Sequence, residues 1–579
     1  MTLESIRRFL RESGELRQED RKEIVFFALC GLASFLPFIG RNYLFDWDEI
    51  NFGEAAREMI VSGDYLTVQI GFEPFWEKPP LFFWLQSLSF HVFGINEFAA
   101  RLPNALLGIA VIPSLYVTGT RILGRTFGRF AAGIFFATLL SHAYFKTGII
   151  DPVFNFFIFL ALFKLLSFEI SRKEDSQSGN SIVDPHFIAA GFWTGLAVLT
   201  KGPVGLLLVA LTYAVFRFAF DRRNIPWKQW TGFILIFCTI VASWFGAIYF
   251  LTSHGSETLR RFYHYHVQLL SEDVAGHAQP FWYHLVVFTL LCFPMAAFCF
   301  RGMFTAPSGA RERMLKIFML CWWWVVMIVF SIVKTKIIHY SSLIYYPSAF
   351  LGALYLRELV CSNRRIHLDV IFQLLLGIVL FGIGAIFLVF AWSNEWLWRS
   401  LVADPGISQM IQFAGSWSGW EYLPGLVFLV TGSLAIYFLL KKRPLAFLLT
   451  QMIATAGFLN VMNLTVVTRI SEMVQSPVIR FWEENAERDV YMVTGGYKSY
   501  AHWFYGRIPD HDKKGKTADE FENWQTNGDV DKDVVMAARR VQVTEQFRKE
   551  WYYNFEETGS AGTFVFFLRK AEKRKASPK

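Results

Sequence analysis

Charge is scarce in this chain: 18% of its 579 residues are Asp, Glu, Lys or Arg and 54% are hydrophobic, where soluble domains carry about 25% charged residues. That shortage excludes an ordinary soluble protein of this size. Cysteine is sparse too. The six (Cys30, Cys238, Cys292, Cys299, Cys321 and Cys361) fall in or beside apolar segments, with no metal-binding spacing and no exported disulfide framework, and read as small core residues. No internal repeat is visible, and no small-residue cleavage site follows the basic stretch from Arg7 to Lys22, so the first apolar run reads as an uncleaved span. The formal charge of +8 lies in short clusters between apolar runs, the pattern of the positive-inside rule and not that of a nucleic-acid partner.

Long apolar runs are abundant. They lie near 22–40, 102–122, 127–146, 151–170, 186–200, 201–220, 230–251, 282–304, 314–333, 340–357, 368–393, 423–440 and 445–468, about thirteen candidate spans of an all-α polytopic membrane protein. The run 80–96 is shorter and contains His91. Reading it as interfacial or re-entrant places Arg121, Arg125 and Arg129 inside, with the basic clusters at Arg217, Arg301, Arg357 and Lys441. The expected organisation is then a cytoplasmic segment 1–21, a transmembrane domain 22–468 with a first outer loop 41–101, and an extracytoplasmic α/β domain 469–579. In the last part, 489–494, 534–538 and 563–568 read as strands and 497–505 as a short helix.

The polar residues worth attention gather at the ends of spans on the outer side. The first loop carries Asp46, Asp48 and Glu49, then Glu54, Arg57 and Glu58, then Glu77-Lys78-Pro79-Pro80. Two carboxylates where the chain leaves the bilayer can serve as a general base or hold a cation. Pro79 and Pro80 suit a helix start, which puts Lys78 at a helix N-terminus, a place that favours phosphate. Later outer segments add Tyr263 to His266, His277 to Trp282, and Lys334 to Tyr340, while Asp151 and Lys201-Gly202-Pro203 begin spans at the same face. Such a set suits a proton-coupled solute transporter or an enzyme. Its location at span ends, without a repeat, favours an enzyme.

The stretch from Asp46 to Pro103, with its WDE and EKPP elements, resembles the first outer loop of the lipid A aminoarabinose transferases and related polyprenyl-phosphate-sugar-dependent glycosyltransferases of the GT-C fold. The resemblance continues at Asp151-Pro152, Lys201-Gly202-Pro203, His277 to Tyr283 and Lys334 to Pro347, across about 470 residues. It implies a polyprenyl-phosphate sugar donor, a lipid or glycan acceptor, and transfer at the outer face of the cytoplasmic membrane. Asp48 matches the family's catalytic acidic residue, with Glu49 beside it. Lys78 matches a donor-phosphate contact and Tyr340 a second; Glu77 with His266 matches a divalent cation site; Asp151, His277 and His339 complete the pocket. Asn51 stands where the family often has Arg, so further phosphate charge is expected from Arg57, Lys336 or Lys201. Relatives that mannosylate protein hydroxyls are similar in this loop but typically have His-Pro-Pro where this chain has Lys78-Pro79-Pro80. That tilts the expectation toward a lipid or glycan and keeps a protein O-mannosyltransferase as the competing enzyme.

Overall fold

The computed structural model describes residues 18–174, 184–220, 226–271, 279–362, 365–402, 405–412, 417–545, 547 and 553–571. It is a mostly helical molecule closed by a small C-terminal sheet. The helix Glu97–Leu123 shows how the sequence writes such elements. Asn96 accepts a hydrogen bond from the Ala99 amide at its start, and Gly124, at φ 91°, stops it. Its 27 residues span about 40 Å at about 1.5 Å per residue, more than the roughly 30 Å of a bilayer core.

Among the described residues, seven helices are long and apolar enough to cross a membrane: Glu97–Leu123, Asp151–Lys173, Trp230–Leu251, Ala310–Ile332, Leu368–Ser393, Trp420–Leu440 and Pro444–Val474. An eighth crossing is available from Tyr283–Leu291 and Met295–Phe304, bent by 112° at their junction. The other expected runs are also helical but shorter or more charged: Gln18–Phe35 begins with QEDRKE, Arg125–Ala137 breaks at the extended Thr138, and Pro185–Lys201 and Val204–Phe220 have 17 residues each. The helices pack as close partners. A Cβ on Gly119 would lie 2.8 Å from the Gly128 Cα, so Glu97–Leu123 and Arg125–Ala137 touch backbone to backbone, the small-residue contact that membrane helices use in place of a hydrophobic drive. Deeper in, Phe159 stacks on Tyr346 at 4.8 Å between ring centroids, and Trp322 lies parallel to the same tyrosine.

The first loop folds as helix Asp48–Ser62, a hairpin of β1 (Gln69–Ile70) and β2 (Glu73–Pro74), and helix Leu81–Phe93. The hairpin turn puts Gly71 and Phe72 at positive φ, and the Glu58 carboxylate accepts both of their amides at 2.5 and 2.8 Å.

The C-terminal sheet has the order β3 (Val490–Gly495), β4 (Asp533–Arg539), β6 (Phe564–Arg569), β5 (Glu556–Ala561). β3 and β4 are parallel; the other pairs are antiparallel. Three strands and the short helix Ala501–Gly506 lie where the sequence pattern placed them; β5, with all six residues exposed, carries no hydrophobic signal. This domain shares one core with the first loop, in which Leu44, Ile50 and Ala56 pack with Ile479, Trp482 and Phe504. Polar contacts reinforce the junction: Tyr505 OH accepts the Leu44 amide at 2.8 Å, Arg57 Nη2 donates to the Ile508 carbonyl at 3.1 Å, and Lys513 Nζ to that of Gly71 at 2.6 Å.

Candidate active site

Four separate segments bring their polar ends together. Asp48 is the first residue of its helix, entered through Trp47 at φ 72°, a conformation unusual for a bulky L-residue. The turn is held by its neighbours: Asp46 Oδ1 accepts the Trp47 amide at 2.9 Å and the Ser499 hydroxyl at 3.0 Å. Asp151 starts one of the long apolar helices and Lys201 ends the 17-residue helix Pro185–Lys201. Gly202 then turns the chain at φ 93°, where a Cβ would lie 2.6 Å from His266 Nε2, so glycine is required twice over. His339 and Tyr340 come from the connection between Ala310–Ile332 and Tyr345–Ser362, whose Ser342 accepts a hydrogen bond from Asn155 Nδ2 at 2.7 Å.

At the centre, Lys201 Nζ donates to Asp151 Oδ1 at 2.5 Å and lies 4.6 Å over the Tyr340 ring. His339 Nε2 stands between two carboxylates, 3.5 Å from Asp151 Oδ2 and 3.6 Å from Asp48 Oδ2. The two aspartates differ in access: the Asp151 side chain is 3% exposed and Asp48 42%. Asp151 is therefore committed to Lys201, and Asp48 is open to an incoming group. Beside them Tyr265 OH donates to Glu77 Oε2 at 2.9 Å, and Lys78 Nζ lies 3.6 Å from the same oxygen and 5.3 Å over the Tyr265 ring. Burial, then the charges of Asp151, Asp48 and Glu77, push the Tyr340 hydroxyl's pKa upward, so it stays a hydrogen-bond donor. A cleft of about 540 Å³ opens next to Glu77 and Tyr265, with Trp76, Arg260, Arg261 and His264 in its walls.

Not every expected residue arrives there. Glu49 points away from Asp48 and is enclosed: Arg101 Nε and Nη2 donate to it at 2.8 and 2.7 Å, and the Phe45 and Gly148 amides at 3.0 and 2.6 Å. Burial, the largest single effect, would raise its pKa, but Arg101 and the Phe45 and Gly148 amides together outweigh it and hold the carboxyl below its usual range. Adjacent helical residues diverge by about 100°, so only one of the acidic pair can face the cluster. Arg57 is likewise spent, bonded to Glu54 through Nε and Nη2 at 2.7 Å each and to the C-terminal domain. Lys336 is buried near His284, whose two ring nitrogens have no hydrogen-bond partner. His277 lies outside the described residues. Lys78 precedes the helix Leu81–Phe93, with Pro80 as its cap, and its ammonium turns to Glu77 and Tyr265 in place of the helix end.

For a divalent cation, Glu77 and His266 do not fit well as a pair. His266 Nδ1 is 2.8 Å from the Phe262 carbonyl and its Nε2 packs against Gly202, while Glu77 is engaged by Tyr265 and Lys78. No group of three or more His, Cys, Asp or Glu among the described residues is arranged so that it could hold a metal ion, and the positive charge beside Glu77 belongs to Lys78. Arg101, which encloses Glu49, and Tyr265, which bonds Glu77, are the side chains around the candidate site to which sequence pattern assigned no role. An arginine at the mouth of an apolar run is the signal for the first, since such a charge needs a nearby acid.

A family model described as dolichyl-phosphate-mannose-protein mannosyltransferase matches residues 77–245. Among curated proteins, the undecaprenyl phosphate-alpha-4-amino-4-deoxy-L-arabinose arabinosyl transferase of Pectobacterium carotovorum is 27% identical over 61% of this chain and 62% of its own length. Its counterpart in Edwardsiella ictaluri is 27% identical over 62% and 63%. The chain thus spans a little over six-tenths of these relatives' length. Among solved structures, ArnT from Cupriavidus metallidurans bound to undecaprenyl phosphate superposes with a TM-score of 0.72 at 17% identity, covering 96% of this chain and 99% of that one. The archaeal oligosaccharyltransferase AglB from Archaeoglobus fulgidus gives 0.50 at 12%, over 97% and 75%. The fold is therefore that of the membrane glycosyltransferases of GT-C type. Within that class, the chain is similar in sequence and in fold to the aminoarabinose transferases, as the first loop implied.

Proposed function

We propose that this chain is a membrane glycosyltransferase that moves a sugar from a polyprenyl-phosphate donor to a lipid or glycan acceptor of lipid A type at the outer face of the cytoplasmic membrane. The observation that carries this reading is the exposed Asp48 carboxylate, 3.6 Å from His339, in a pocket whose cations are Lys201 and Lys78. Cleavage of the anomeric C–O bond builds negative charge on the leaving phosphate and positive charge on the sugar. Lys78, Lys201 and the Tyr340 hydroxyl stabilise the leaving phosphate where water is partly excluded. Asp48 takes the acceptor's proton, and a single displacement inverts the anomeric centre. Glu49 and Arg57 act through structure, fixing the loop that presents Asp48. Purified protein in detergent, given polyprenyl-phosphate sugars, should release polyprenyl phosphate in an acceptor-dependent way. No release would remove the enzyme reading in favour of a transporter, and transfer to peptide hydroxyls would favour protein O-mannosylation, the description carried by the family model.

The accompanying topology has about thirteen spans, a cytoplasmic N-terminus, and the site and C-terminal domain outside. Two observations support it. The helix Leu81–Phe93 has 13 residues, about 20 Å, too short for a crossing. The C-terminal domain packs on the first loop and so shares its side.

A further inference from the structure

The C-terminal domain holds a cavity of about 650 Å³, larger than the cleft beside Glu77. It lies at the carboxyl end of β3, where Val493 and Thr494 give way to the turn at Gly496, φ 72°. Helix Ala518–Asn527 supplies another wall through Asn523, Thr526 and Asn527. The carboxyl ends of parallel strands are where open α/β sheets bind ligands, and β3 runs parallel to β4. The transfer chemistry proposed above uses none of these residues.

Two polar groups in its wall are buried without a partner. His502 is 8% exposed and its Nδ1 makes no hydrogen bond; the enclosed Tyr497 hydroxyl makes none either. Both atoms lie beneath the cavity's surface, so the polar groups a ligand can reach are the exposed amides of Asn523 and Asn527 and the other polar side chains of the wall. Burial drives the His502 pKa down to about 3, so the ring is neutral and can donate or accept. Charge in the walls argues against phosphate: Asp519 and Glu522 stand against one lysine, Lys498, among the described lining residues. The remaining surface mixes the Tyr500 ring with amide and hydroxyl groups, the composition of a site that orients a polar ring through a few fixed contacts.

We propose that this cavity is a saccharide subsite that takes a neutral or amino-bearing glycan. Ser499, in its wall, donates to Asp46, two residues before Asp48, and Tyr500 lines both this cavity and the cleft at Glu77. A glycan held here is in contact with the segment that presents the exposed carboxylate. Whether that glycan belongs to the acceptor rests on the transferase reading; saccharide binding itself does not.

The test uses the full chain in detergent, with a glucosamine disaccharide, its N-acetylated form and inorganic phosphate as probes in calorimetry. At least one saccharide should bind saturably, without competition from phosphate. Asn523→Trp and Asn527→Trp, both at exposed rim positions, should each weaken binding tenfold or more with unchanged melting, so that one suffices if the other fails to fold. No saturable saccharide binding, binding within threefold of wild type in a folded variant, or displacement by phosphate would overturn the proposal. Turnover then identifies the source. If the acceptor's glycan is the ligand, shortening it raises KM in the wild type and leaves Asn523→Trp unchanged; if a free saccharide is the ligand, KM is insensitive to shortening while calorimetric binding persists.

Discussion

Asp48 and Lys78 carry different parts of the proposed chemistry, and substitutions should separate them. Asp48→Asn keeps size and helix position and removes only the proton acceptor, so turnover should fall by about 10²- to 10⁴-fold with melting and donor affinity close to wild type. More than a tenth of wild-type turnover in that variant would withdraw the assignment. Lys78→Ala removes a phosphate contact present before and during transfer; its donor KM should rise, and kcat should fall only as far as the contact strengthens while phosphate leaves. Steady-state kinetics of both variants in one detergent preparation reads the difference. The adjacent Glu49 illustrates what sequence alone does not reveal. Two neighbouring acids look equivalent in a string of letters, yet one lies open and the other is enclosed by Arg101, 52 residues along the chain. That partner is a long-range fact, invisible to local spacing, whereas Lys78, Lys201 and Asp151 are legible because each sits at or just before an element end beside Pro, Gly or an apolar run, and Tyr340 is reached only through the resemblance of its segment.

At the scale of elements, the Arg101–Glu49 pair pins helix Asp48–Ser62 to the start of helix Glu97–Leu123. Arg101 also donates to the Ile39, Asn42 and Tyr43 carbonyls, so its loss leaves a buried carboxylate and three freed acceptors. Arg101→Met should cost about 3–5 kcal/mol, seen as a lower melting temperature at pH 7. The penalty should shrink on acidification. In the wild type the Glu49 pKa is lowered on folding, so its contribution is fully present above the ordinary carboxylate range and is lost only as pH falls below that range. In the variant, burial without Arg101 favours the protonated form, and Glu49 neutralises earlier. Melting curves from pH 7 to pH 4 should therefore converge. Most elements were readable from apolar runs and turn residues. The edge strand β5 was not, because Glu556-Glu557-Thr558-Gly559-Ser560 has neither alternation nor burial, and the breaks within apolar runs, such as the one at Thr138, follow from tertiary packing.

Over the whole molecule, the proposed orientation rests on the arginines at 121, 125 and 129. A cysteine introduced beside Arg125 should react only with reagents that reach the cytoplasm; labelling from outside would invert the topology from that loop onward. The shared core of first loop and C-terminal domain makes a second expectation. A chain ending after Val474 removes Ile479, Trp482 and Phe504 from Leu44, Ile50 and Ala56, and should give a less stable protein with no turnover, measurable by melting and donor release.

The bond between the Leu44 amide and Tyr505 joins residues 461 positions apart. At about 5–20 residues per second, a ribosome needs on the order of half a minute or longer to make the second partner after the first. Throughout that interval the segment carrying Asp48 lacks the partners that Ile479, Trp482 and Phe504 supply, so on the proposed transferase reading a prematurely terminated chain should release no polyprenyl phosphate.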